Sequence, residues 1–110
     1  MRLFIDDDAK RWNAFGAAYG PGHYWAEHFT ESMIALSDYN YTHEFSHIYL
    51  DHDGVDGDLI AEWMARHKPH RDAKVIIHSS NYVGAVKMRD TLSAAGYDVE
   101  MTSFEELVDS

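Results

Sequence analysis

The sequence predicts an α/β domain built on a five-stranded parallel sheet with helices on both faces. Three observations carry this expectation. Short apolar runs recur at 2–5, 45–50 and 74–77, as buried parallel strands require. Between them, apolar residues fall at helical spacing, as in Leu59, Ile60, Trp63 and Met64, or Ala85, Met88, Leu92 and Ala95. Strands that alternate with helices are joined by right-handed crossovers, so their carboxyl ends all reach one edge of the sheet.

The first strand is RLFI, residues 2–5, which runs into Asp6, Asp7 and Asp8. Asp8 is suited to cap the next helix, because its carboxylate accepts from the free amides of a first turn, and Trp12 and Phe15 share one face of that helix. Gly16, Gly20, Pro21 and Gly22 mark a loop. The aromatic stretch HYWAEHF, 23–29, is the second strand. Thr30 then caps a short helix through Glu31, Met33, Ile34 and Leu36, and the polar SDYNYTHE, 37–44, reads as a turn. FSHIYL, 45–50, is the third strand. A helix over 58–67 ends at Lys68-Pro69, since the residue before a proline avoids the helical region. Residues 74–77 form the fourth strand, and the next helix stops at Gly96. YDVEMTS, 97–103, is the fifth strand, and 104–108 a last short helix. The result is a flavodoxin-like sandwich, one domain over residues 1–110.

Composition narrows the function. The chain has no cysteine, which excludes disulfides, thiolate metal sites and cysteine nucleophiles and makes a cytoplasmic location the default. The apolar run after Met1 is too short for a signal peptide or a membrane span. A net charge of −10, with nine Lys and Arg in all, opposes broad binding to duplex nucleic acid. A small anion stays compatible with this surface wherever a bound cation reverses the local field.

The stretch IYLDHDGVDGD, 48–58, concentrates acid where the fold collects ligands, beyond the carboxyl ends of the strands. FIDDD, YLDHDG and IIHSSN all emerge at that edge. Asp6, Asp7 and Asp51 therefore offer hard oxygen ligands for Mg²⁺ or Mn²⁺. Without a cation they would raise one another's pKa values. Asp8, Asp56 and Asp58 are better explained as turn and helix-start residues. A calcium-binding loop fails, because Val55 stands where an oxygen ligand is needed and Asp56 where glycine is. His52 and His78 sit at strand ends and suit proton transfer near neutral pH, or a hydrogen bond to a loop. His23, His28, His43, His47, His67 and His70 are assigned to surface or packing. Ser79, Ser80 and Asn81 precede a helix, where they either seat a phosphate or cap the helix, and Arg11 and Lys10 can reach the site from the first helix.

The order FIDDD, TESMIALSDY, IYLDHDG, EWM and VIIHSSNYVGAVKM resembles the receiver-like domains described as cyclic-phosphate-processing receivers, over about residues 2–92. The resemblance implies a response-regulator-like sandwich that acts on a cyclic phosphate, with Asp6, Asp7 and Asp51 in the metal-pocket positions. His52, Asp53, His78, Ser79 and Asn81 match the additions particular to that family. Signalling receivers carry a lysine at the end of the fifth strand; DVEMTS has none, which argues against phosphorelay. His28 stands where relatives are expected to have an arginine.

The expectation is a metal-dependent phosphoesterase acting on a cyclic nucleotide or a 2′,3′-cyclic phosphate RNA end. Its catalytic residues are Asp51, His52 and His78, its substrate contacts Arg11, Ser79, Ser80 and Asn81, and its Mg²⁺ or Mn²⁺ ligands Asp6, Asp7, Asp51 and Asp53. Two rivals are a non-catalytic module in which Tyr24, Trp25 and Tyr82 stack on a base, and a degenerate receiver used for protein contacts. A pocket shared within a homo-oligomer is compatible with each.

Overall fold

The computed structural model describes residues 1–42 and 44–109. Its elements alternate without exception: β1 (Arg2–Ile5), α1 (Ala9–Tyr19), β2 (Tyr24–Ala26), α2 (Phe29–Thr42), β3 (His47–Leu50), α3 (Gly57–His67), β4 (Lys74–Ile77), α4 (Tyr82–Ala94), β5 (Asp98–Met101) and α5 (Phe104–Asp109). All four strand pairings are parallel, in the order β2-β1-β3-β4-β5. The order reverses between β1 and β3, the point at which such sheets open a crevice.

Strand residues alternate between two cores. Leu3, Ile5, Ile48, Leu50, Val75 and Ile77 enter a large aliphatic core with Ile60, Met64, Met88 and Leu92 from α3 and α4. Phe4, Tyr49 and Ile76 point the other way and join Phe15 and Leu107. There Phe4 stacks on Phe15 with ring centroids 4.6 Å apart. Both faces of the inner strands are thus buried, which is why those strands read as continuous apolar runs.

Several local features depart from the sequence reading. β2 is confined to three residues, and α2 starts at Phe29 rather than after Thr30. The cause is a turn at Glu27 and His28, where the Glu31 carboxylate accepts from the Glu27 amide and Ser32 bonds back to the His28 carbonyl. The helix then continues to Thr42, through a stretch expected to turn. Within it Ser37 donates its hydroxyl to the Met33 carbonyl at 2.6 Å, one turn back, so the side chain is satisfied inside the helix. In α3 the buried face is Gly57, Ile60, Ala61 and Met64, while Leu59 is 47% exposed, so the stripe lies one residue round from the expected one. Asp56 precedes this helix with φ 53 and makes no side-chain cap. β5 is an edge strand over four residues, shorter than expected. Among the described residues no helix is long and apolar enough to cross a membrane.

Candidate functional site

Register alone assembles the site. Ile5, Leu50, Ile77 and Met101 stand side by side across four strands, so the next residues, Asp6, Asp51, His78 and Thr102, form one row at the carboxyl edge. Backbone bonds continue the ladder into that row: Asp51 N donates to the Ile5 carbonyl, His78 N to Leu50, and Thr102 N to Ile77.

Carboxylate oxygens of Asp6, Asp7 and Asp51 lie within 4.8 Å of one another. Oxygens on opposite sides of a divalent ion stand about 4.2–5 Å apart, given bond lengths of about 2.1–2.5 Å. The trio therefore fits Mg²⁺ or a similar hard cation. Gly54 makes room for it. A Cβ there would stand 2.1 Å from Asp7 Oδ2, and the residue has φ +80, so side chain and backbone both demand glycine. Arg11, on α1, supplies a protein countercharge, with Nη1 3.4 Å from Asp6 and 3.7 Å from Asp51.

The buried acids are not equivalent. Burial opposes ionisation of Asp6, but the hydrogen bond from His78, the Asp8 amide and the Arg11 charge together hold its carboxyl below the usual range. Burial pushes Asp51 up, and the neighbouring Asp6 charge adds to this against the influence of His78, the His52 amide and Arg11. Of the two buried acids, Asp51 is thus the one whose charge is less compensated. Burial also disfavours charge on Arg11, yet Asp6, Asp51 and Asp8 outweigh it and raise its pKa.

The two expected catalytic histidines part company. The His78 side chain is fully buried, stacked on Phe4 at 5.1 Å, with Nε2 3.0 Å from Asp6 Oδ2. It braces a carboxylate from below. The His52 side chain is 23% exposed, and its Nδ1 lies 2.8 Å from Asp53. Hydrogen bonds from His52 and Asn81 hold Asp53 below the usual carboxylate range, so it is an ionised acceptor. His52 Nδ1 therefore carries the proton and donates it to Asp53; the Asn81 side-chain nitrogen, 3.5 Å from Nδ1, is also a donor and makes no hydrogen bond with it. This leaves Nε2 as the basic nitrogen.

Asp53, expected among the metal ligands, is not gathered with the acid trio; it is 65% exposed and taken up by His52. Asn81 caps α4, its carbonyl accepting from Gly84 N at 3.0 Å, while Ser79 Oγ accepts from the Asn81 amide and Ser80 is exposed. Both functions weighed for this segment share one geometry, and the capping is present. Gly84 allows a close approach at the start of α4: a Cβ there would come within 2.5–2.8 Å of the His52 ring. A glycine at that position signals close packing, but neither the identity of its partner, His52, nor the Trp25 indole donating to the Asp6 carbonyl at 2.8 Å is legible in local pattern.

Of the remaining histidines, His23 accepts from the Arg2 amide, His67 packs on Trp63 and His70 is buried against Phe45. His47 lies beside Ser46. His28 approaches Glu27 and Glu31, a second acidic group at the end of β2 in which Glu31 is engaged in the turn. His43 lies outside the described residues.

A five-stranded parallel sheet in this order, with an acid trio at its carboxyl edge, defines a receiver-like domain. The model of the cyclic-phosphate processing receiver domain matches residues 1–94, and the chain belongs to that family. The fold is similar to a solved response regulator protein from Burkholderia pseudomallei that holds a phosphorylated aspartic acid, a calcium ion and citrate. The TM-score is 0.66 at 16% identity, over 97% of this chain and 63% of that one. The chain thus spans less than two thirds of that neighbour. No curated protein matches it.

Proposed function

We propose that the domain is a metal-dependent phosphoesterase that opens a cyclic phosphate, on a cyclic nucleotide or a 2′,3′-cyclic RNA end. The observation that carries this reading is the adjacency of two units. One is the acid trio with Arg11; the other is the His52–Asp53–Asn81 chain, joined to the first by the His52 amide donating to Asp51 at 2.8 Å. Family membership supports the substrate class.

Asp6, Asp7 and Asp51 would hold a divalent ion, Mg²⁺ or Mn²⁺. When bound, such an ion neutralises phosphoryl charge and lowers the pKa of a bound water. Arg11 offers its guanidinium to a non-bridging oxygen. Asp53 fixes the His52 tautomer, and Nε2 accepts a proton as the water oxygen bonds to phosphorus. The ring P–O bond breaks, and His52 returns the proton to the leaving oxygen, giving a phosphomonoester with a free hydroxyl. His78 keeps Asp6 ionised and in place, a positioning role. Ser79 would donate its hydroxyl to the phosphate, with Ser80 and Asn81 completing the rim.

The test is incubation of the pure protein with cyclic nucleotides and 2′,3′-cyclic RNA ends, with Mg²⁺, Mn²⁺ or EDTA. Metal-dependent production of the monoester supports the enzyme. Stoichiometric capture without product would make the domain a binding module, and neither result would leave a receiver used for protein contacts.

A further inference from the structure

We propose that the cavity between the first turn of α4 and the β5–α5 link is a nucleobase subsite, with Tyr82 as its stacking wall. The inference rests on the cyclic-phosphate reading and deepens it, because it assigns a place to the base that such a substrate carries. The cavity has a volume of about 340 Å³, at the small end of ligand pockets. Ile77, Ala85 and Met101 line it, the first two almost wholly buried, and Ser79 and Thr102 bring hydroxyls to it, that of Thr102 donating to Glu106. An apolar slot with a few polar groups is what a flat heteroaromatic ring requires.

Position supports this occupant. Ile77 and Met101 are the last residues of their strands, level with Leu50, which precedes Asp51. β5 is two strands from β3, about 10 Å at 4.8 Å per strand, a gap that a ribose bridges between phosphate and base. Ser79 also belongs to the segment placed against the phosphate, so one loop serves both ends of a nucleotide.

Exposure singles out Tyr82. It is 72% exposed, and its neighbour Val83 is 79% exposed, a pair of large apolar side chains at the head of a helix. Other aromatics expected to stack on a base are taken up in packing: Trp25 lies on Trp12 at 5.5 Å and donates its indole N–H to Asp6, and Tyr24 packs on the core. Tyr82 keeps an open ring face beside the cavity, and a stacked base would cover it.

The experiment follows the Ile77 and Met101 methyl signals and the Asp51 and His52 amide signals by NMR in Mg²⁺. The probes are cyclic mononucleotides of the four bases, ethylene phosphate as a cyclic phosphate without a base, and adenosine and guanosine as bases without phosphate. Cyclic nucleotides should shift both sets of signals, ethylene phosphate the amides alone, and at least one nucleoside the methyls alone. Tyr82→Ala should weaken cyclic-nucleotide binding about tenfold, leave ethylene phosphate unchanged, and be rescued by Tyr82→Phe. Methyl signals unmoved by every base-bearing probe would overturn the subsite, as would a Tyr82→Ala loss that is absent or equal for both phosphate probes. Failure of the phosphate reading looks different: the amide signals stay still with every phosphate, whatever the methyls do.

Discussion

Replacing Asp51 by asparagine should stabilise the metal-free protein while abolishing its response to metal. The carboxylates of Asp6 and Asp51 lie within 4.8 Å of each other, and both residues are buried. At that separation two unit charges repel by about 3.5 kcal/mol with an effective dielectric of about 20. Arg11 offsets part of this, discounted because its side chain is partly exposed. The raised pKa of Asp51 shows that burial and repulsion prevail. Asparagine keeps the shape and an oxygen for the His52 amide, so the expected gain is about 1–2 kcal/mol, or several degrees in thermal midpoint.

The sign with pH follows from linkage. Asp51 binds its proton more tightly folded than unfolded, so its penalty is full above the raised folded value. The penalty fades as pH falls toward the ordinary carboxylate range near about 3.9. The advantage of Asp51→Asn should therefore be largest at neutral pH and shrink in acid. The assay is differential scanning calorimetry from pH 7 to pH 4, with EDTA or Mg²⁺. At a hundredfold excess over Kd, Mg²⁺ should stabilise the wild type by about 2.7 kcal/mol and the variant far less. A variant less stable than wild type in EDTA at pH 7, or one equally stabilised by Mg²⁺, would refute the account.

Gly84→Ala should displace the His52 ring, since the new Cβ would meet it at 2.5–2.8 Å. With up to about 1 kcal/mol of helix propensity gained, the fold should hold while turnover drops about 100-fold; unchanged kcat would remove His52 from the mechanism. His78→Phe keeps a ring on Phe4 but loses the bond to Asp6, and urea denaturation should show a loss of about 1.5–3 kcal/mol. His70 is buried, accepts from the Phe45 amide at 3.3 Å, and has its pKa pushed down by burial. The unfolded chain then binds the proton more readily, so stability is full above about pH 6.5 and falls as pH drops from there toward the depressed folded value. His70→Asn, which tolerates the φ of 48 found there, should flatten that slope in urea midpoints measured between pH 7 and pH 5.

Much of this molecule is written in local pattern. Apolar runs of four residues and the stripe of Ala85, Met88 and Leu92 specify strands and helix because period and burial are properties of neighbouring residues. Alternation of those elements implies parallel strands, and so the common exit of Asp6, Asp51 and His78 at one edge. What lay beyond the sequence were distances between segments far apart in the chain. Nothing around Gly84 announces that His52 lies against it, and nothing in DHDG separates Asp53, bound to His52, from the acids that converge. The rotation of α3 that leaves Leu59 exposed, and the packing that buries His78 while leaving His52 accessible, are likewise set by which surfaces meet. Side-chain chemistry and spacing decide what each segment becomes; steric fit between segments decides which groups meet, and that fit exists only once the sheet has closed its register.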